Sequence, residues 1–465
     1  MSAGGLEPAA AACVFPGFKG PTVPDWLRRE LEGGLGGVVL FAFNVRDPEQ
    51  LAALTESLRA ERDELVVSVD EEGGDVTRLE AARGSSFPGN LALGAVDDVG
   101  LTRRVAAAIG GELAAVGVNM NLAPVADVIV DPAAAIVGVR SFGSDPQLVG
   151  RHVAAYVEGL QGTGVAACAK HYPGHGEVTG DSHLELPTAE IDRETLFARA
   201  LPPFAAAVEA GVQAVMTAHI RFPALDEQPA TISGPLIGLL RSELGFDGVV
   251  MTDALEMRAI MGTVGLEEGA VQAVAAGADA LCLGAERSPE EVARVREALV
   301  AAVQDGRLSE ERLDEAAGRV AELAAWASSP QPGHDLEAGA EAARRALRVE
   351  GDVSLPPSPL VVELWPQATI AAGPAHHGLG ELLEAETVRV HEGEPFPQLD
   401  DPGRAIVVVR DAHRHGWQRE LVPAGVLVVE TGVPAWRPPD ARGYVVTHGA
   451  GRANLAAAAE LLAPR

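Results

Sequence analysis

The segment AKHYPGHGEVTGDSHLELP, residues 169–187, sets Lys170, His171, His175, Asp181 and His183 close together in a glycine-rich stretch. Three readings are open to such a set: a metal site, an acid/base centre or a plain surface loop. Zinc held by two histidines four apart needs a helix to bring both rings to one face. His171 and His175 have that spacing, but Pro173, Gly174 and Gly176 forbid a helix there. Acid/base chemistry fits better. Asp181 and His183 lie two apart in D-S-H, so the carboxylate can accept one ring N–H. The other ring nitrogen is left to move a proton, work that suits an imidazole of ordinary pKa, about 6.5. Glycines at 174, 176 and 180 would let the segment move over a pocket. Lys170 is a further signal. Lys19 and Lys170 are the only lysines in the chain, so a lysine beside a histidine points to a specific use.

Other candidates stand at the ends of apolar runs. LVVSVD ends in Asp70, VNMNLAPVADV carries Asn121 and Asp127, VMTAHI carries Thr217 and His219, and GVVMTD ends in Asp253. Asp253 is the sharpest case; its bland alternative is an N-cap for the following ALEMRAI. Asp70 by itself reads as part of a solvated acidic turn with Glu71 and Glu72. Two glycines and Arg78 close behind it point instead to a shaped ligand loop.

These residues can meet only if the elements before them converge. The apolar runs are AACVF (11–15), GVVLF (37–41), LVVSVD (65–70), VNMNL (118–122), VAACAK (165–170), VQAVMTA (212–218), GVVMTD (248–253) and ADALCL (278–283). They are continuous, as strands buried on both faces are. Amphipathic segments such as PEQLAALTESLRAER and PEEVARVREALVAAV lie between them. The pattern predicts an α/β chain, a (β/α)₈ TIM barrel over residues 1–328; a doubly wound open sheet is its main competitor. In such a barrel the site lies at the C-terminal ends of the strands, where the candidates stand. The turn-rich WASSPQPGHD (326–335) marks a break, with a linker and connecting helix over 329–350. The runs PLVVELW, AIVVVR, GVLVVE and GYVVTH then predict a smaller α/β domain over 351–465 that ends in the helix ANLAAAAELLA.

Composition narrows the function. The formal charge of −30 disfavours nucleic acid and anionic membranes as partners. Apolar runs fall short of the roughly 20 residues of a membrane span. Cys13, Cys168 and Cys282 are too scattered for a disulfide framework. The start, MSAGGLEPAAAACVFPGF, lacks a basic n-region, so a cytoplasmic location is expected.

The motifs GGVVLFAFN (36–44), VDEEGG..TR (69–78), NLAPVADV (121–128), RSFGSDP (140–146), K-H-Y-P-G-H-G…D-S-H (170–183) and MTDALEM (251–257) follow one another in order. On these motifs the sequence resembles glycoside hydrolase family 3, in the branch of bacterial β-N-acetylglucosaminidases, over residues 12 to 325. The resemblance implies Asp253 as nucleophile and His183 as general acid/base, with Asp181 orienting it. It implies Asp70, Arg78, Arg140, Lys170 and His171 as contacts to the sugar. The implied reaction is retaining, exo-acting release of terminal N-acetylglucosamine from peptidoglycan fragments or chitooligosaccharides, with no metal or cofactor. The second domain resembles the α/β C-terminal domain of two-domain members. Asp75, Glu71 and Ala254 depart from the family pattern, which often has Arg, Gln and a second Asp there; they bear on substrate preference more than on activity. A phosphorylase, a non-catalytic sugar-binding barrel and a metal-dependent hydrolase are the competing functions. Aromatic residues are 4% of the chain, and four of five tryptophans lie at or beyond Trp326. A pocket for one terminal sugar is expected rather than a long stacking platform. The expected partner is that small sugar, with the chain a monomer or homodimer.

Overall fold

The predicted apolar runs form short, almost wholly buried strands, and eight of them run parallel around one interior. The computed structural model describes residues 5–133, 136–178, 180, 182, 185–367 and 378–463. Strands β1 (Val14–Pro16), β2 (Gly37–Leu40), β3 (Val66–Val69), β4 (Met120–Asn121), β5 (Ala166–Tyr172), β6 (Ala214–Thr217), β7 (Val249–Thr252) and β8 (Leu281–Gly284) follow one another in chain order. Strands β2 to β7 form one curled sheet. The Met251–Ala280 bridge joins β7 to β8, β8 pairs with β1, and β1 packs on β2. The first run opens later than expected: Ala11 and Ala12 close the helix Leu6–Ala12, in line with the high helix propensity of alanine.

The helices between strands start where their sequences cap them. Pro48–Glu61 begins at Asp47, whose side chain accepts the Gln50 N–H at 2.8 Å. Pro289–Gln304 begins at Ser288, in a capping box with Glu291. Phe15, Val39, Val66, Met120, Cys168, Met216 and Met251 fill the interior, and Val320 and Leu323 of the helix Glu310–Trp326 pack into the same cluster. The larger apolar cluster lies between the strands and the surrounding helices.

Beyond the break, the helix Leu336–Ala346 leads into a six-stranded sheet. Its strands are β9 (Arg348–Gly351), β10 (Leu360–Leu364), β11 (Glu386–Val390), β12 (Ala405–Val409), β13 (Leu427–Glu430) and β14 (Gly443–Val446), in the order β9-β14-β13-β12-β10-β11. All neighbours are parallel except β9 and β14. The expected linker end at 350 falls inside β9. Both edge strands, β9 and β11, lie outside the predicted apolar runs, because they are mostly exposed and carry charges. The sheet has an apolar cluster on each face, and Arg452–Leu462 packs on one of them through Leu455, Ala458 and Leu462. Val433 of this domain seats among Leu91, Ile129, Val137 and Val139 of the barrel.

Candidate active site

Strand periodicity delivers the first three site residues. Side chains two apart share a face of a strand. Val66, Ala166, Cys168, Val249 and Met251 fill the interior. Counting on by twos brings Asp70, Lys170 and Asp253 to the C-terminal rim on the inner side. All three line one cavity of about 290 Å³, together with Glu72, Arg78, Arg140, His171, His175 and Ser182. The structure therefore brings together Asp70, Arg78, Arg140, Lys170, His171 and Asp253. Asp181 and His183 lie outside the described residues.

Lys170 is the hub. Its Nζ lies 2.5 Å from Asp70 Oδ1 and 2.7 Å from Glu72 Oε1. Arg140 grips Glu72 through Nε at 2.9 Å and Nη2 at 2.7 Å. Arg78 Nη2 stands 4.0 Å from Asp70 Oδ2. Burial alone would push Lys170 down, but Asp70 and Glu72 outweigh it and hold its ammonium above the usual value. Burial pushes the Glu72 carboxyl up, and Arg140 and Lys170 overcome that to hold it well below the carboxylate range. The network is a set of fixed donors and acceptors in a nearly dry setting.

Glu71 and Glu72 are 4% and 3% exposed, which corrects the reading of a solvated acidic turn. Gly73 and Gly74, at φ +78° and +58°, turn the chain back. The Glu71 carboxylate accepts the backbone N–H groups of Arg78 at 2.8 Å and Leu79 at 3.0 Å. Asn121 clamps the Glu71 backbone to β4: its Oδ1 accepts the Glu71 N–H and its Nδ2 donates to the Glu71 carbonyl.

Asp127 organises the histidines. Its Oδ2 is 2.8 Å from His171 Nδ1, and its Oδ1 accepts the His175 N–H at 2.6 Å. His175 is buried, with its ring edge-on to His171, and burial pushes it down to about 4. Gly176 lets this segment lie against the next loop: a Cβ there would meet Val128 O at 1.7 Å. Asp253 is no helix cap. Its N–H donates to Thr217 O at 3.2 Å, its Oδ1 accepts the Ala254 N–H at 2.7 Å, and the next helix starts only at Arg258. His219 holds the following turn, with Nε2 2.9 Å from Ala254 O.

Glu72, Asp127 and Glu256 join the described site without having been singled out for roles. Asp127 carried a signal, its place after an apolar run. Glu72 was hidden by its acidic neighbours, and Glu256, paired with Arg287 beside the cavity, gave none. A second cavity of about 100 Å³ in the other domain includes Glu363, Arg410 and Asp411. Their charges are committed to partners: Glu363 to Arg389, Arg410 to Asp75, and Asp411 to Arg414.

A barrel mouth that fixes carboxylates, a lysine and two arginines around one small cavity has the donors and acceptors to bind a small polar ligand. The comparisons give the family. The family described as "Glycosyl hydrolase family 3 N terminal domain" matches residues 17–323, and the chain belongs to glycosyl hydrolase family 3. Beta-hexosaminidase A of Pseudoalteromonas piscicida is 35% identical over 62% of this chain, which spans 53% of that protein, about half its length. The beta-hexosaminidase of Thiobacillus denitrificans is 42% identical over 54% of this chain and 72% of its own. A family 3 beta-N-acetylglucosaminidase structure from a Paenibacillus species matches with a TM-score of 0.88 at 33% identity, covering 98% of this chain and 96% of that one. That match extends the likeness to both domains.

Proposed function

We propose that the protein is a retaining, exo-acting β-N-acetylglucosaminidase. The observation that carries this reading is the convergence of Asp253 with Asp70, Arg78, Arg140, Lys170 and His171 on one cavity. In this reading the Asp253 carboxylate attacks the anomeric carbon while His183, oriented by Asp181, protonates the departing oxygen. Water activated by His183 then releases the sugar from Asp253. The charged residues hold the sugar's hydroxyl and N-acetyl groups. The cavity, about 290 Å³, lies just below the usual range for ligand pockets, about 300–1,000 Å³, which supports one terminal sugar. Small soluble substrates follow, peptidoglycan fragments or chitooligosaccharides. The names of the similar proteins support the choice of an N-acetylhexosamine.

The test is nitrophenol release from 4-nitrophenyl β-N-acetylglucosaminide, with and without phosphate, with the sugar product identified. Free N-acetylglucosamine in both conditions is expected. A sugar phosphate formed at a phosphate-dependent rate would make the protein a phosphorylase. No release in either condition would remove this substrate class.

A further inference from the structure

The loop that carries Asp70, Glu72 and Arg78 to the sugar cavity is pinned from behind by the other domain. Asp75 stands at its turn, 3% exposed in its side chain. Asp75 Oδ2 pairs with Arg410, which follows β12, and Asp75 Oδ1 accepts the Ala450 N–H at 2.7 Å. The backbones touch as well. A Cβ on Gly451 would meet Gly74 Cα at 2.8 Å, so only glycine allows this approach. Two residues further, the Ala453 N–H donates to Ser85 O at 3.0 Å. The loop's own bonds run between these points: Glu72 N–H to Val76 O at 3.0 Å and Gly74 N–H to Phe87 O at 2.7 Å. Moving Asp75 therefore moves Glu72, and Glu72 is shared by Lys170 and Arg140.

We infer that Arg410 is a positioning residue for sugar binding: through Asp75 it sets the loop that holds Asp70, Glu72 and Arg78, so the second domain shapes a subsite that none of its described residues lines. The inference rests on the proposed glycosidase reading for its kinetic consequence only. Its geometric content is independent of the substrate. Arg410→Gln removes the charge that Asp75 faces, and Arg410→Lys restores a cation without the guanidinium fork.

Two measurements on the full chain decide it. The first is hydrogen exchange of the backbone amides of residues 71–79 in wild type, Arg410→Gln and Arg410→Lys. Exchange there should rise on the order of tenfold or more in Arg410→Gln, return towards wild type in Arg410→Lys, and stay unchanged in β13. The second is steady-state kinetics on 4-nitrophenyl β-N-acetylglucosaminide. Arg410→Gln should raise KM and lower kcat/KM by about 10- to 100-fold, with Arg410→Lys recovering most of the loss. Unchanged exchange at 71–79 would overturn the inference. So would a loosened loop with wild-type KM and kcat, which would leave Arg410 a purely structural tie. A wild type that releases no nitrophenol would instead defeat the glycosidase reading, and the exchange comparison alone would then decide for or against the strut.

Discussion

Lys170 lies within β5 and Asp253 just past the end of β7, and the two are set up for different tasks. Lys170 is committed to Asp70 and Glu72, so it holds, whereas Asp253 faces the cavity as the candidate nucleophile. Asp253→Asn is expected to keep the fold and lower kcat on the order of 10⁴-fold; near-wild-type turnover would end the assignment. His183→Ala should slow substrates with poor leaving groups about 100-fold or more, and nitrophenyl glycosides far less, since nitrophenol needs little protonation. Equal losses on both would remove the acid role. Glu71 is a stability test. Burial raises its carboxyl to about 7, against about 4.3 in an unfolded chain. Between those values the folded state keeps a proton that the unfolded chain has released. Stability therefore falls as pH rises through this window and is level above it. Glu71→Gln keeps an oxygen for the Arg78 and Leu79 N–H groups but has no charge to desolvate. It should stabilise the protein on the order of 2 kcal/mol at pH 8 and change little at pH 4, read by thermal melts.

At the scale of elements, the site depends on segments that touch backbone to backbone. The run after β5 lies so close to the one after β4 that Gly176 has no room for a side chain. Gly176→Ala must push residues 175–177 away from Val128, and with them the His175 N–H that Asp127 accepts. Asp127 would then hold His171 less firmly. We expect about a 100-fold loss of kcat/KM with circular dichroism unchanged. Wild-type kinetics in this variant would show that the contact can give way without disturbing His171.

At the scale of the whole molecule, charge and burial set the pH of greatest stability. The chain carries a formal charge of −30 at pH 7, which self-repulsion makes costly as acids ionise. Burial lifts the Glu430 carboxyl to about 8, helped by nearby Asp411, although it accepts N–H groups from Asp411, Ala412 and Gly432. Glu430 and Glu71 both lose stability as pH rises from the unfolded carboxylate value to 7 or 8. Glu72 and Asp127 work the other way. Burial would raise both, but Arg140 and Lys170 hold Glu72 down and His171 and His175 hold Asp127 down. Their contribution is present above the unfolded value and lost as pH falls through the folded one. Buried His175 and His448, pushed down to about 4, oppose Glu71 and Glu430 up to about pH 6.5, so the melting temperature should be nearly level from about pH 5 to 6.5 and decline on both sides of that range. A curve still rising from pH 5 to pH 8 would contradict this balance.

Much of this was legible in the chain itself. Continuous apolar runs name eight barrel strands and four of the second sheet, because a strand buried on both faces has no polar side to show. Asp70, Lys170 and Asp253 announce themselves because a charge directly after such a run must lie at a strand end. The motifs around them identify the family. Other features had no local signature. The edge strands Arg348–Gly351 and Glu386–Val390 are mostly exposed, so no apolar pattern marks them. Glu72 reads as one more acid of a surface turn until Gly73 and Gly74 turn the chain and it meets Lys170 and Arg140. Asp75 and Arg410 stand 335 residues apart, and neither segment carries a sign of the other. Local composition decides which residues must be buried and which stand at strand ends. Only the tertiary fold decides which buried charges meet, because that pairing depends on how distant segments are brought together.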